Sequence, residues 1–365
     1  MDCEALRMVC SPEFWRMAFM WTFSLLHSYL LLFLRGGAAV PRCRRPTPDE
    51  SGRGRPVCVV TGATSGLGKA AAAALAREGY HVVLAGRSSQ LLSETVQEIR
   101  SRQPDAYIEA FQVNLSSYKS IKKFETSLYQ WIQDSNMEHS VQLLINNAGM
   151  LAKSYRITED GFDEMMQTNY IGPFVLTNVL LPLLKNSSTP SRVVNLTSFT
   201  HRCVSEINLS KKGLRGVRSD HCSARGSYPL ASTYEYTKFC LLMFSYELHR
   251  QLHISSGISV MTADPGVVDT GIMRELPPCL SSIAFSVLRL LNLLQQPEDD
   301  TAVGAVLDAA LAPPEASGKY FFGGKGRTIR SSQLSYNIEL AKKLCAESLT
   351  LFNELQIKEH ELGTS

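Results

Sequence analysis

Residues 56–79 read PVCVVTGATSGLGKAAAAALAREG. A short β-branched run ends in a glycine-rich turn, and an alanine-rich stretch of strong helix propensity follows, closed by Gly79. Glycines between a strand and a helix let the backbone approach a pyrophosphate, while the helix N-terminus turns free N–H groups toward it. Gly62, Thr64, Ser65, Gly66, Leu67 and Gly68 are therefore candidates for holding a dinucleotide. The same alternation continues downstream: YHVVLAG (80–86), AYIEAFQVN (106–114), VQLLINNAG (141–149), SRVVNLTS (191–198) and GISVMTADPG (257–266) read as strands separated by helical segments. This pattern predicts one α/β domain, a Rossmann-type doubly wound parallel sheet in three layers with helices on both faces. Its span is 56–356. SYNIELAKKLCAESLTLFNEL (335–355) is an amphipathic closing helix, and 357–365 reads as a tail.

Gly86-Arg87 ends the second strand. A carboxylate there would bind a ribose 2′-hydroxyl and repel a 2′-phosphate. An arginine suits the phosphate, so Arg87 points to NADP(H).

Composition excludes several other classes. Lysine and arginine number 37 against 34 aspartates and glutamates, too small an excess to indicate nucleic acid, and no aromatic–basic stripe supports it. The 9 cysteines are scattered without a CxxC pair, as reduced thiols rather than a disulfide frame or zinc site. His249 and His253 lie four apart on a helix without further ligands, so no metal is expected. Asn186-Ser-Ser and Asn208-Leu-Ser fit the glycosylation pattern, which matters only in a luminal domain.

The amino-terminal region is different in kind. Met17–Leu34, MAFMWTFSLLHSYLLLFL, carries no formal charge and is long enough for a spanning helix. Arg35, Arg42, Arg44, Arg45, Arg53 and Arg55 follow it, the wrong side for a cleaved signal. Residues 1–35 are thus expected to anchor the chain in a membrane, and 36–55 to form a basic Pro/Gly-rich linker. The positive-inside rule puts the following domain on the cytosolic face. An interfacial helix or part of an organelle-targeting segment is the alternative.

A second decisive stretch is YEYTK, 234–238. It lies in a run from Ser232 to Leu252 with helical apolar spacing and neither glycine nor proline. At about 100° per residue, Tyr234 and Lys238 share one face and Tyr236 points nearly opposite, so Tyr234 is the reactive candidate and Tyr236 a packing residue. A free tyrosine is a poor acid–base at neutral pH. A lysine one turn along stabilises its phenolate and is expected to lower its pKa.

With NNAG at Asn146–Gly149, Asn169 in NYIGPF, Ser198 closing RVVNLTS and PGVVDT at Pro265–Thr270, the chain resembles the short-chain dehydrogenase/reductase family over nearly all of 56–325. SGKYF at 317–321 and the long Ser198–Tyr234 interval resemble more narrowly its retinol-dehydrogenase-like branch, whose members are often membrane-anchored. The resemblance implies Tyr234 as general acid/base, Ser198 as hydrogen-bond partner of the reacting oxygen, and Lys238 and Asn169 as their support. It implies cofactor contacts from Asn146, Ala148, Gly149, Pro265, Val267 and Thr270, and from Tyr234 and Lys238 themselves. Asn114 stands where many relatives carry an aspartate that contacts adenine. Pairing of two copies through the helices at 158–184 and 234–253 is an option the resemblance offers.

Two variable segments bear on the substrate. Residues 199–233 are long and basic, a solvated loop or a rim over the substrate mouth. PPCLSSIAFSVLRLLNLLQQ (277–296) is strongly apolar and falls where relatives carry a substrate-binding helix pair. Together with the anchor they lead to an NADP(H)-dependent oxidoreductase interconverting a lipophilic alcohol (retinoid, sterol or polyprenyl-like) and its aldehyde or ketone. Its expected location is a membrane, the endoplasmic reticulum first, or else a chloroplast or other organelle envelope. The alternative is a nucleotide-sensing component of a membrane assembly, such as plastid-envelope import machinery, for which an intact Ser198, Tyr234 and Lys238 would be superfluous.

Overall fold

A computed structural model describes residues 11–35, 39–43, 55–135, 138–216, 228–273, 286, 288–290, 293–297 and 302–363. The expected sheet is present. β1 (Val57–Thr61), β2 (His81–Gly86), β3 (Ile108–Gln112), β4 (Leu143–Asn146), β5 (Arg192–Leu196), β6 (Ser259–Asp264) and β9 (Tyr320–Phe322) form seven parallel strands in the order β3-β2-β1-β4-β5-β6-β9. A separate short pair joins β7 (Val267–Val268) to β8 (Leu294–Gln295). Strand order reverses between β1 and β4, and ligands bind in the crevice at the carboxyl ends of strands flanking such a switch.

Period-two alternation divides the strand side chains between two cores. Val57, Val59 and Val83 face α4 (Tyr118–Asp134), α5 (Gly172–Lys185) and α6 (Leu230–Ser256). Cys58, Val60, Val82 and Leu84 face α2 (Gly66–Arg77), α3 (Ser89–Arg102) and α7 (Ala302–Leu311). Because both faces are covered, the inner strands β1, β4, β5 and β6 are buried at every position, as the middle of a parallel sheet requires, while the edge strand β3 is only partly covered.

Three regions differ from the sequence expectation. The closing helix α8 (Ile338–Gly363) runs on past residue 356, so positions up to 363 continue a helix instead of a tail. It packs along α6, burying Ala341, Leu344, Cys345, Leu351 and Leu355. The Tyr170 hydroxyl meets Ser348 at 2.7 Å. Part of the helical surface that would pair two copies is therefore occupied by the chain itself. The supposed linker is tied down where it is described: Val40 N–H donates to Gly326 O at 2.8 Å, and Arg42 pairs with the buried Asp308 at 2.7 Å. Finally, the helix of the amino-terminal segment, α1 (Pro12–Arg35), lies against the domain. Much of the apolar stretch at 277–296 and residues 217–227 lie outside the described residues.

Candidate active site

The first turn after β1 is set by two glycines with positive φ, Gly62 at 65° and Gly66 at 50°, a region L-residues enter at a cost. Gly68 is needed for space instead: a Cβ there would stand 2.3 Å from Gly62 O and 2.4 Å from Asn147 Nδ2. Asn147 fastens this turn to the one after β4. Its Nδ2 donates to Thr61 O at 2.7 Å, while Thr61 Oγ1 accepts from the N–H groups of Asn147 and Ala148, both at 3.0 Å. The N-terminus of α2 thereby opens into a cavity of about 650 Å³ lying along the carboxyl ends of the strands.

Gly62, Thr64, Ser65, Gly66, Leu67, Gly68 and Arg87 line one end of the cavity. Ala148, Gly149, Ser198, Tyr234, Lys238, Pro265 and Thr270 line the rest. A dinucleotide fits this arrangement. Its elongated shape matches a cavity that joins a helix N-terminus to the Tyr234–Lys238 pair, and Gly62, Gly66 and Gly68 add no side chains of their own to the phosphate approach.

Three expected contact residues, Asn146, Val267 and Asn114, and the expected support residue Asn169 stand off the wall. Asn146 is buried beneath it, donating from Nδ2 to Thr177 Oγ1 at 3.0 Å and to Asn195 Oδ1 at 2.8 Å. Its neighbour Asn147 lines the cavity. Val267 packs in the cluster around Leu25, and Val268 faces the cavity. Asn114 Oδ1 accepts from the N–H and hydroxyl of Ser116, an Asx turn that occupies the carboxamide locally. Asn169 sits in a π-turn (Gln167–Ile171) before α5. Its side chain brackets Met150, accepting from Met150 N at 2.8 Å and donating to Met150 O at 2.9 Å, and reaches Thr237 Oγ1 at 3.2 Å. It thus ties the turn after β4 to the helix that bears Tyr234.

The reactive trio is compact. Tyr234 and Lys238 lie on the same side of α6, with Lys238 Nζ 5.8 Å from the Tyr234 ring centre, and Ser198 lines the same cavity beside the Tyr234 hydroxyl. Tyr236 points away, its hydroxyl donating to Asn208 O at 2.5 Å, as helical phase requires. Lys238 Nζ donates to Leu196 O at 2.9 Å, and a Cβ on Gly149 would crowd it at 3.3 Å. Burial, with the charge of Asp264 second, raises the Tyr234 hydroxyl above its usual pKa, contrary to the lowering expected from Lys238 alone. Burial also brings the Lys238 ammonium down to about 8, the charge of Asp264 opposing it.

Several supporting residues gave no signal in the sequence. Phe199–Cys203 folds as a 3-10 turn with Phe199, Thr200 and His201 buried, so this part of the 199–233 segment is packed, not solvated. His201 Nε2 accepts from Ser332 N–H at 3.1 Å, which leaves Nδ1–H to donate to Ser198 O at 2.6 Å. Burial takes its pKa down to about 3, so the ring stays neutral. Tyr320, within SGKYF, donates to the buried Asp264 carboxylate at 2.6 Å. His201 thus ties Ser198 to the segment at Ser332, and Tyr320 ties β9 to the end of β6.

A family model described as short chain dehydrogenase matches residues 56–208. Human polyprenol dehydrogenase is 31% identical over 90% of this chain and 92% of its own length. Human retinol dehydrogenase 13 is 32% identical over 80% of this chain and 83% of its own. A crystal structure from Mycobacterium paratuberculosis superposes with a TM-score of 0.59 at 24% identity, covering 85% of this chain and 97% of that one, a likeness of fold. Relatives matched this closely over most of their length show that the chain belongs to the short-chain dehydrogenase family, within its retinol-dehydrogenase-like branch.

Proposed function

We propose that the protein is an NADP(H)-dependent oxidoreductase that interconverts a lipophilic alcohol and its aldehyde or ketone, of retinoid, sterol or polyprenyl type. The observation that carries this reading is that Ser198, Tyr234 and Lys238 share one cavity with the glycine turn and Arg87. A bound nicotinamide supplies the hydride in reduction and takes it up in oxidation. Protonated Tyr234 donates its proton to the carbonyl oxygen in reduction. The Ser198 hydroxyl hydrogen-bonds that oxygen and holds it in register. The Lys238 ammonium lies close enough to stabilise the phenolate left behind, which retrieves the proton when an alcohol is oxidised. The names of the polyprenol and retinol dehydrogenases support a lipophilic substrate. The basic residues after α1 support a domain seated on the anionic, cytosolic face of a membrane, the endoplasmic reticulum first. The test is NADPH oxidation by the full-length protein with a panel of lipophilic aldehydes and ketones; no turnover with any of them would refute the proposal.

Arg87, exposed at the far end of the cavity, is proposed to select the 2′-phosphate. Arg87→Asp should shift the ratio of kcat/KM for NADPH over NADH by more than about tenfold toward NADH, since it replaces a charge-assisted bond by a repulsion. An unchanged ratio would remove that role.

Lys238 gives the pH dependence. Its folded pKa of about 8 lies below the ordinary 10.5, so reduction should be steady below pH 8 and decline above it as the ammonium is lost. Stability runs the other way. The buried ammonium penalises the fold in full below pH 8, and the penalty lifts as pH rises from 8 toward 10.5. Lys238→Met should therefore raise the melting temperature of the nucleotide-free protein at pH 7 by a few degrees while removing activity. A lower melting temperature would show that the bond to Leu196 O outweighs the desolvation.

A further inference from the structure

α1 contacts the domain along one face. Met17, Trp21, Ser24, Leu25, Ser28, Tyr29 and Leu32 recur at intervals of three and four. At the amino-terminal end, Arg16 pairs with the buried Glu235 at 3.2 Å, and Trp21 Nε1 donates to the same carboxylate at 2.7 Å. Glu235 directly follows the reactive tyrosine, and the Trp21 ring lies 5.7 Å from that of Tyr234, in a cluster with Met150, Leu151 and Ile272 on the cavity wall. Further along, Ser24 Oγ donates to Phe199 O at 2.6 Å, Arg202 Nε donates to Ser28 Oγ at 3.1 Å, and Tyr29 packs on Phe322 at 5.1 Å.

The opposite face is Trp15, Phe19, Phe23, Leu26, Leu30 and Phe33, all exposed, Phe33 at 87%. This departs from the usual surface helix: the inner face already carries Met17, Trp21, Leu25 and two serines, yet a second row of large apolar groups stands outward. Around the docked half stand exposed Lys325 and Arg330 and half-buried Arg202 and Arg327, a basic rim complementary to anionic headgroups.

We propose that α1 is the roof of the substrate site and lies in the plane of a phospholipid leaflet instead of crossing the bilayer. From Arg16 to Leu32 it is bonded to the domain over roughly 24 Å, most of the ~30 Å hydrocarbon thickness. A spanning α1 would have to release the Glu235, Phe199 and Phe322 contacts or drag Glu235 and Arg202 into hydrocarbon, where charges are expensive. Lying flat, it keeps those bonds, buries its outer stripe in lipid, and borders an entrance from the leaflet to Tyr234 with Trp21. This rests on the proposed function only for the identity of what enters.

The topology is tested by making the full chain, tagged at its amino terminus, in the presence of sealed microsomes and adding protease outside. A docked α1 leaves the tag digestible with the domain. A tag protected while the domain is digested would overturn the proposal. Vesicle flotation tests the partner: full-length protein should float with phosphatidylcholine–phosphatidylserine vesicles. A Phe19→Ser, Phe23→Ser, Leu26→Ser variant should bind them at least tenfold more weakly, with NADPH binding unchanged. Equal binding, or self-association of the parent without vesicle binding, would overturn it. Trp21→Ala should raise KM for a bulky lipophilic carbonyl about tenfold and leave KM for NADPH unchanged, with Trp21→Phe restoring it. An unaltered KM would remove α1 from the site. If the parent turns over no carbonyl, the function fails while the protease and flotation results still decide the topology.

Discussion

In the proposed carbonyl reduction, Tyr234→Phe is expected to lower kcat by roughly 10³-fold, the range of a positioned general acid, and to leave nucleotide binding intact. The substitution removes one oxygen and keeps the ring that packs against Met150 and Trp21, so the fold has no reason to respond. No second acid among the described residues stands ready. Tyr236 points to Asn208 O, and Tyr320 is engaged by Asp264. Because burial keeps Tyr234 protonated in the free protein, the proton it gives in reduction is already in place, and its loss falls on the chemical step. Single-turnover kinetics separates that step from binding. A kcat within tenfold of the parent would overturn the assignment, and Tyr236→Phe provides the control that should retain activity.

Gly68→Ala is expected to abolish binding of the proposed NADPH and to destabilise the fold by about 3 kcal/mol or more, an overpacking at the upper end of its usual range. The added carbon would stand 2.3 Å from Gly62 O and 2.9 Å from Gly62 C, both backbone atoms, and 2.4 Å from Asn147 Nδ2. None can yield without moving the turn that holds the phosphate approach or breaking the Asn147–Thr61 bond. Gly257→Ala is the contrast. It has nothing within 4 Å, so only its φ of 69° is penalised, about 1 kcal/mol. Thermal melts and NADPH fluorescence titration check both variants. Normal nucleotide binding by Gly68→Ala would mean that the turn relaxes far more than its contacts allow.

Period-two runs between glycine turns made the sheet legible, and helical phase was enough to separate Tyr234 from Tyr236. The cavity's finer membership was not. Asn146 ends β4 in register with Asn195, so its side chain stays in the layer below. The chain turns only at Asn147, a one-residue phase that a strand end does not reveal. The Asp264, Tyr320 and His201 cluster is joined from three separate parts of the chain, and SGKYF, which marked Tyr320 as part of a resemblance, pointed to neither of its partners. The opposing effects of burial on Tyr234 and Lys238 depend on packing, which no local pattern encodes. In α1 a signal was present but overshadowed. The uncharged length satisfied a membrane span, while Trp21, Ser24, Ser28 and Tyr29, spaced along one face, already marked a side made for protein contact.

The strand order also sets a timetable for synthesis. β1, β2 and β3 are neighbours and can assemble as soon as they emerge, whereas the other side of β1 must wait for β4, whose Ile145 pairs with Val60. The surface that receives α1 is completed later still, since Phe199, Leu242, Tyr320 and Phe322 come from the second half of the chain. For most of translation the greasy amino-terminal helix is therefore out of the ribosome with no intramolecular partner, beside a half-sheet with an open edge. In the proposed seating on a leaflet, lipid would be the earlier partner of this helix and the finished domain the later one.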